Sequence, residues 1–316
     1  MTDAIEQDTS PAQKLTTEAC TQIMRQVFAP TTRPTVRQIS RLLGGVSADV
    51  YRIDLSFATS PDRSVVLRAH GESHSGHPAE LEYQLLQSLH KKGVPVPRPL
   101  YVDASCTTLE QPFVVIEFVA GDSEIRADRR SQYIAAMARQ LASIHTTSTT
   151  DLPALPGRLD PLPEVFDFLP EGPQWEELRT HLHTLSATRY TDTPKLLHGD
   201  FWPENLLWQN GTIAAVLDWE DAAIGDPLSD VAACRVELRY QLGAEAMDEF
   251  TQAYNQYLPA GSDIDAQRLA LWQVYVAAAA QKYMGLWGLE KSSEAHMRNE
   301  ALRSIREAAT ALLSQR

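Results

Sequence analysis

At 316 residues the chain is longer than one hydrophobic core usually serves, so two lobes are expected, and its 43% hydrophobic and 22% charged residues are ordinary for a soluble globular protein. With 28 Lys and Arg against 41 Asp and Glu, the formal charge is −13, which argues against nucleic acid or an anionic membrane as partner, since both reward clustered basic residues. No apolar run approaches the ~20 residues of a bilayer span, MTDAIEQDTSPAQKL lacks the features of a signal peptide, and Cys20, Cys106 and Cys234 show neither pairing nor metal spacing, so a cytoplasmic chain with reduced thiols is expected.

Residues 1–11 read as frayed, and Leu15, Ala19, Ile23, Met24 and Val27 recur at the three- and four-residue spacing of a helix over 12–28. Short β-rich runs follow at 36–43, 50–57 and 65–69, then an amphipathic helix over 78–90 with Leu81, Leu85, Leu86 and Leu89 on one face. Two more strands, 100–102 and 113–119, end at the Gly121-Asp122 break. The order β-β-β-α-β-β describes a small antiparallel sheet carrying one helix. Beyond it the pattern turns helical: a helix over 133–145, a proline-rich loop or insertion over 150–173, and a helix over 175–185. Four late helices are expected near 228–241, 245–257, 264–288 and 293–313. The only strands expected in this half flank residues 198–218. The fold class is α+β and two-lobed: an N-terminal extension with a helix over 1–34, a sheet-rich lobe over 35–120, and a helical lobe over 121–316.

The stretch LLHGDFWPENLLWQNGTIAAVLDWE, residues 196–220, carries the chemistry. An apolar run ends in His198-Gly199-Asp200, Asn205 stands five positions after the aspartate, and a hairpin signal at Gln209-Asn210-Gly211 returns the chain to Asp218. Phosphoryl transfer needs this set: Asp200 to orient a hydroxyl and accept its proton, Asn205 and Asp218 to hold Mg2+ against a nucleotide's phosphates. His198 reads as a packed scaffold residue. Seven residues separate Asp218 from Asp226 of Gly225-Asp226-Pro227-Leu228-Ser229-Asp230, which leaves no room for an activation loop.

Four further motifs precede it in order. Leu43-Gly44-Gly45-Val46-Ser47-Ala48 lies between two strands, where glycines let backbone amides approach phosphate oxygens. Val65-Val66-Leu67-Arg68 is the third strand, Glu80 and Glu82 open the following helix, and Val114 to Gly121 runs toward the second lobe. Together these motifs resemble the aminoglycoside phosphotransferase and choline kinase-like family, small-molecule kinases with the protein-kinase fold, over about residues 36–290. The resemblance implies a loop of Gly44, Gly45 and Ser47 over the nucleotide, with Ala48 where the family commonly has Asn. It also implies Arg68 on the phosphates in place of lysine, oriented by Glu82, and main-chain adenine contacts at Glu117 and Val119. Gly199 stands where regulated protein kinases carry an arginine that reads loop phosphorylation.

What the resemblance implies is an ATP- or GTP- and Mg2+-dependent phosphotransferase acting on a small-molecule hydroxyl. The acceptor stays open between an antibiotic, aminoglycoside or macrolide, and a metabolite such as choline, an amino alcohol or a sugar-like compound. A nucleotide-binding pseudokinase with a regulatory role is the alternative. Acids Asp160, Glu164, Asp167, Glu171, Glu176 and Glu177 among Phe166, Phe168 and Trp175, with Trp272, Tyr275, Tyr283 and Trp287 on one face of a late helix, would suit an amine-bearing acceptor; a solvated acidic loop over an ordinary core helix is the competing reading. His70, His74 and His77 could bind a transition metal, but no carboxylate or cysteine spacing supports it.

Overall fold

The computed structural model describes residues 15–42, 48–71, 76–186, 188–259 and 262–314. The chain falls into two compact units, Met1–Gln87 with Pro97–Phe118, and Ser88–Val96 with Val119–Arg316.

In the first unit, α1 (Thr17–Val27) starts where the Thr16 hydroxyl accepts a hydrogen bond from the Ala19 amide at 3.2 Å, so the helix is shorter than the periodicity predicts; Ala12–Lys14 lie outside the described residues. The side-chain cap supplies a stop that apolar spacing alone cannot show. Strands β1 (Thr35–Leu42), β2 (Ala48–Ser56) and β3 (Arg63–His70) precede α2 (Ala79–Lys91), and β4 (Pro99–Asp103) and β5 (Phe113–Glu117) complete an antiparallel sheet ordered β1-β2-β3-β5-β4. Strand β3 is central, and alternation splits its side chains. Val65, Leu67 and Ala69 join Ile23 and Met24 of α1, with Tyr51, Ile53 and Val115, in one core. Each such fully buried aliphatic side chain contributes about 1.5–3 kcal/mol. The other face of β3 carries Val66, Arg68 and His70, all buried.

In the second unit, α3 (Arg130–Thr146) is followed by β6 (Gly157–Arg158), α4 (Val165–Phe168), α5 (Glu176–Thr184), β7 (Lys195–Leu197), the hairpin β8 (Leu206–Gln209) and β9 (Thr212–Val216), and β10 (Ala223–Gly225). Asn210 and Gly211 turn the hairpin with φ of 52° and 79°, the left-handed pair that a two-residue turn requires. Helices α6 (Leu228–Leu242), α7 (Ala244–Asn255), α8 (Ala266–Tyr283) and α9 (Lys291–Leu313) complete the unit around a core that includes Val236, Val274, Ala277, Ala278 and Ile305.

The proline-rich stretch, expected as a loop or insertion, carries β6 and α4. The expectation that the strands around 198–218 stand alone is corrected: β10 runs parallel to β6 and antiparallel to β7. This pairing depends on Gly225, where a Cβ would lie 1.9 Å from the Arg158 carbonyl oxygen, and two-residue strands have no period to read. Helix α8 also ends at Tyr283, with a 3-10 turn over Met284–Leu286, so Trp287 leaves the face shared by Trp272, Tyr275 and Tyr283. Gly285 and Gly288 weaken helical continuation there, and Gly288 takes φ of 66°.

Candidate active site

Strand β7 delivers His198-Gly199-Asp200, and Asp230 on the first turn of α6 fixes the turn that follows. The Asp230 carboxylate accepts from the His198 amide at 2.7 Å and the Gly199 amide at 3.0 Å. His145 Nε2 lies 3.2 Å from the same carboxylate, and its Nδ1 lies 2.7 Å from the Tyr254 hydroxyl. Burial alone would raise the Asp230 carboxyl, yet the His145 bond and the charges around it hold it below its ordinary value. Gly199 has φ of +91°, and a Cβ would meet the Asp221 carbonyl at 2.0 Å. Only glycine fits there, which gives a local reason why no arginine stands at this position.

His198 is fully buried and burial keeps it neutral by lowering its pKa. Its Nε2 donates to the Leu217 carbonyl at 2.8 Å and its Nδ1 accepts from the Asp200 amide at 3.2 Å. With both nitrogens engaged it is a scaffold residue.

Asp200 Oδ2 accepts from Trp202 Nε1 at 3.1 Å and from Asn205 Nδ2 at 3.0 Å; the same Asn205 nitrogen reaches the Asp200 carbonyl at 2.8 Å. The amide nitrogen being committed to Asp200, the Asn205 oxygen is the atom available to a metal. Burial, with the charges of Asp218 and Asp221 adding, pushes the Asp200 carboxyl up to about 6 against those two hydrogen bonds. Asp218 follows β9 with φ of 60°, a left-handed conformation that aspartate tolerates better than most residues.

In the first unit, Glu82 in the first turn of α2 stands 3.4 Å from Arg68 Nε, so the predicted pair forms. It also bonds His70, whose Nε2 lies 2.8 Å from the other carboxylate oxygen. His70 and His77 are therefore buried residues of the fold, and no group of three or more potential metal ligands occurs among the described residues. Glu117 ends β5, its side chain exposed and 3.8 Å from Arg98 Nε, and Val119 opens the second unit. Gly44, Gly45, Ser47 and His74 lie outside the described residues.

The late aromatics divide. Trp272 is buried and donates from Nε1 to Asp226 at 2.7 Å, while Asp226 also accepts from the Leu228 amide at 3.0 Å and pairs with Arg268 at 2.9 Å. Trp272 is thus scaffold at the start of α6. Tyr275 donates to Glu164 of the insertion at 2.8 Å, and Phe168 packs edge-on against Tyr275 and Tyr283. Sequence reading misses Glu237, two turns along α6 from Asp230. Burial, with the charges of Asp200 and Glu204 adding, pushes its carboxyl up to about 8, and its Oε2 is out of solvent without a hydrogen bond. A lone helical glutamate gives no signal of this; only its seven-residue offset from Asp230 places it on the same face.

Residues 38–271 match the Phosphotransferase enzyme family. The chain belongs to that family. Among curated relatives it is 29% identical over 214 residues to acyl-CoA dehydrogenase family member 10 of Mus musculus, a match covering 60% of this chain and 19% of that protein. It is 24% identical over 250 residues to the aminoglycoside 3'-phosphotransferase of Streptomyces fradiae, covering 73% of this chain and 91% of the relative. The chain spans about a fifth of the length of the first relatives it matches, the acyl-CoA dehydrogenase family members. The solved structure of aminoglycoside phosphotransferase APH(4)-Ia superposes with a TM-score of 0.63 at 16% identity, over 92% of this chain and 99% of that one. The fold is the α+β, protein-kinase-like fold of small-molecule phosphotransferases.

Proposed function

We propose that the chain transfers the γ-phosphoryl group of ATP, or of GTP, to a hydroxyl of a small molecule. The observation that carries this reading is the Asp200 carboxylate, one oxygen held by Trp202 and Asn205 and the other available to an incoming hydroxyl. Asp200 orients that hydroxyl and takes its proton as the oxygen–phosphorus bond forms and the diphosphate leaves. A carboxyl raised to about 6 is a better proton acceptor near neutral pH than an ordinary aspartate.

Asn205 and Asp218 offer an amide oxygen and a carboxylate, the hard oxygen donors that suit Mg2+, and the excess negative charge around Asp200 favours a cation there. When bound, Mg2+ would neutralise charge on the nucleotide's phosphates. Arg68, oriented by Glu82, holds phosphate oxygens, and the loop of Gly44, Gly45 and Ser47 covers them; Glu117 and Val119 supply main-chain contacts to the base. A neighbour in fold, a thermostable mutant of APH(4)-Ia, was solved as a ternary complex with AMP-PNP and hygromycin B, which supports a nucleotide and a small molecule as the two substrates.

The acceptor is read as an amine-bearing alcohol. Viomycin phosphotransferase, aminoglycoside 3'-phosphotransferase and homoserine kinase are among the relatives, and all three names refer to amine-bearing compounds. Glu237 beside Asp200 and Glu204 supplies a buried carboxyl that a cationic group would stabilise in its charged form. An antibiotic and an amino-alcohol metabolite both satisfy this. The test is nucleotide turnover against a panel of aminoglycosides, macrolides, choline and amino alcohols, comparing wild type with Asp200→Asn. Acceptor-dependent ADP release abolished by the substitution supports the reading; magnesium-ATP binding without phosphorylation of any acceptor would favour the regulatory pseudokinase.

A further inference from the structure

The Glu82 carboxylate is held more closely by His70 than by the arginine it is expected to orient. Its contact with Arg68 Nε, at 3.4 Å, is an ion pair longer than an ordinary N–H···O bond. Its contact with His70 Nε2, at 2.8 Å, has the length of a full hydrogen bond. An ionised carboxylate only accepts, so the His70 Nε2 carries the proton and donates. All three side chains are buried, so water does not readily replace a lost donor.

The backbone explains the arrangement. Arg68 and His70 are two residues apart on β3 and so share a face of the sheet. Both address Glu82, one at each oxygen: Oε1 toward Arg68, Oε2 toward His70. A carboxylate anchored at one oxygen presents the other in a fixed direction. Without that anchor it can rotate until both oxygens engage the guanidinium, whose fork matches a carboxylate in that geometry.

We propose that His70 is a positioning residue for nucleotide binding: it fixes Glu82 at one oxygen so that Glu82 orients Arg68 without capturing it. This rests on the reading that Arg68 holds nucleotide phosphates. His70 touches neither nucleotide nor acceptor in this account; it acts through Glu82. The sequence signature is Arg-x-His at the end of the third strand with a glutamate in the first turn of the next helix.

The test is the affinity for magnesium-ATP, measured by calorimetry on the full chain, which needs no knowledge of the acceptor. His70→Met keeps bulk and removes the donor; His70→Gln keeps an N–H donor on a side chain of similar reach. Weakening of about tenfold is expected for His70→Met, with return to within about threefold of wild type for His70→Gln. In a Glu82→Gln background His70→Met should add less than about twofold, because the path runs through Glu82. Thermal melting accompanies each variant, and since Gln is the milder change its rescue is informative even where the methionine variant folds poorly. The proposal is overturned if His70→Met binds within twofold of wild type, if His70→Gln is no better than His70→Met, or if the two substitutions act independently. Arg68→Ala separates this from the underlying reading: if it leaves affinity unchanged, Arg68 does not hold the nucleotide, whereas if it weakens binding while His70→Met does not, only the role of His70 falls.

Discussion

Gly199 shows how one residue fixes the backbone of a turn. Its φ of +91° and the Asp221 carbonyl 2.0 Å from any added Cβ leave space for no side chain. Gly199→Ala must therefore push the backbone of Asp200 out of place. We expect turnover to fall by at least ~100-fold, since small misplacements of a catalytic group are costly, together with a lower Tm by calorimetry. Glu237 gives a second residue-scale prediction. In the folded chain its carboxyl is raised from 4.5 to about 8, so it is readily buried protonated and resists ionisation. Its stabilising contribution is complete below the unfolded value and is lost as pH rises through about 8. Between about pH 5 and pH 9 the Tm of the wild type should fall relative to Glu237→Gln, which cannot ionise; parallel melting curves would show that the carboxyl is not buried as described.

At the scale of elements, α6 organises the catalytic turn through its first residues. Asp230 joins the amides of His198 and Gly199 to His145 on α3, and Asp226 joins the start of α6 to Trp272 on α8. Asp230→Ala leaves two buried amides and His145 without their acceptor and should destabilise the chain by about 3–5 kcal/mol, the range for breaking a buried charged network. Denaturant unfolding checks this, and a loss under 1 kcal/mol would contradict it. These anchors also mark what was legible beforehand. The alternation of β3, the leucine face of α2 and the Asn210-Gly211 turn are local patterns, and each element forms near its expected place. Asp226 and Asp230 are readable as loop anchors because they flank a helix start. His145 and Tyr254 are not, since their bond to each other and to Asp230 joins α3, α7 and α6 across the fold. The pairing of β6 with β10 was hidden for the same reason: it depends on a close backbone approach at Gly225 rather than on any periodicity. His70 reads in the sequence, with His74 and His77, as a possible ligand, and its contact with Glu82, twelve residues on, is not legible there.

At the scale of the whole molecule, the charge of −13 acquires a local meaning. Asp200 feels the charges of Asp218 and Asp221, and Glu237 is kept protonated by burial together with Asp200 and Glu204, a field that favours cations and opposes a bare nucleotide. Under the proposed function, Mg2+ and the amine of an acceptor are the charges that answer it. The central claim is that Asp200 accepts the proton of an acceptor hydroxyl. It is tested most directly by single-turnover phosphorylation of whichever acceptor the panel identifies, with wild type and Asp200→Asn compared at saturating magnesium-ATP. A fall in the phosphoryl-transfer rate of about 100-fold or more, with nucleotide affinity within a few-fold of wild type, is the predicted result. Transfer at the wild-type rate by Asp200→Asn would contradict the account.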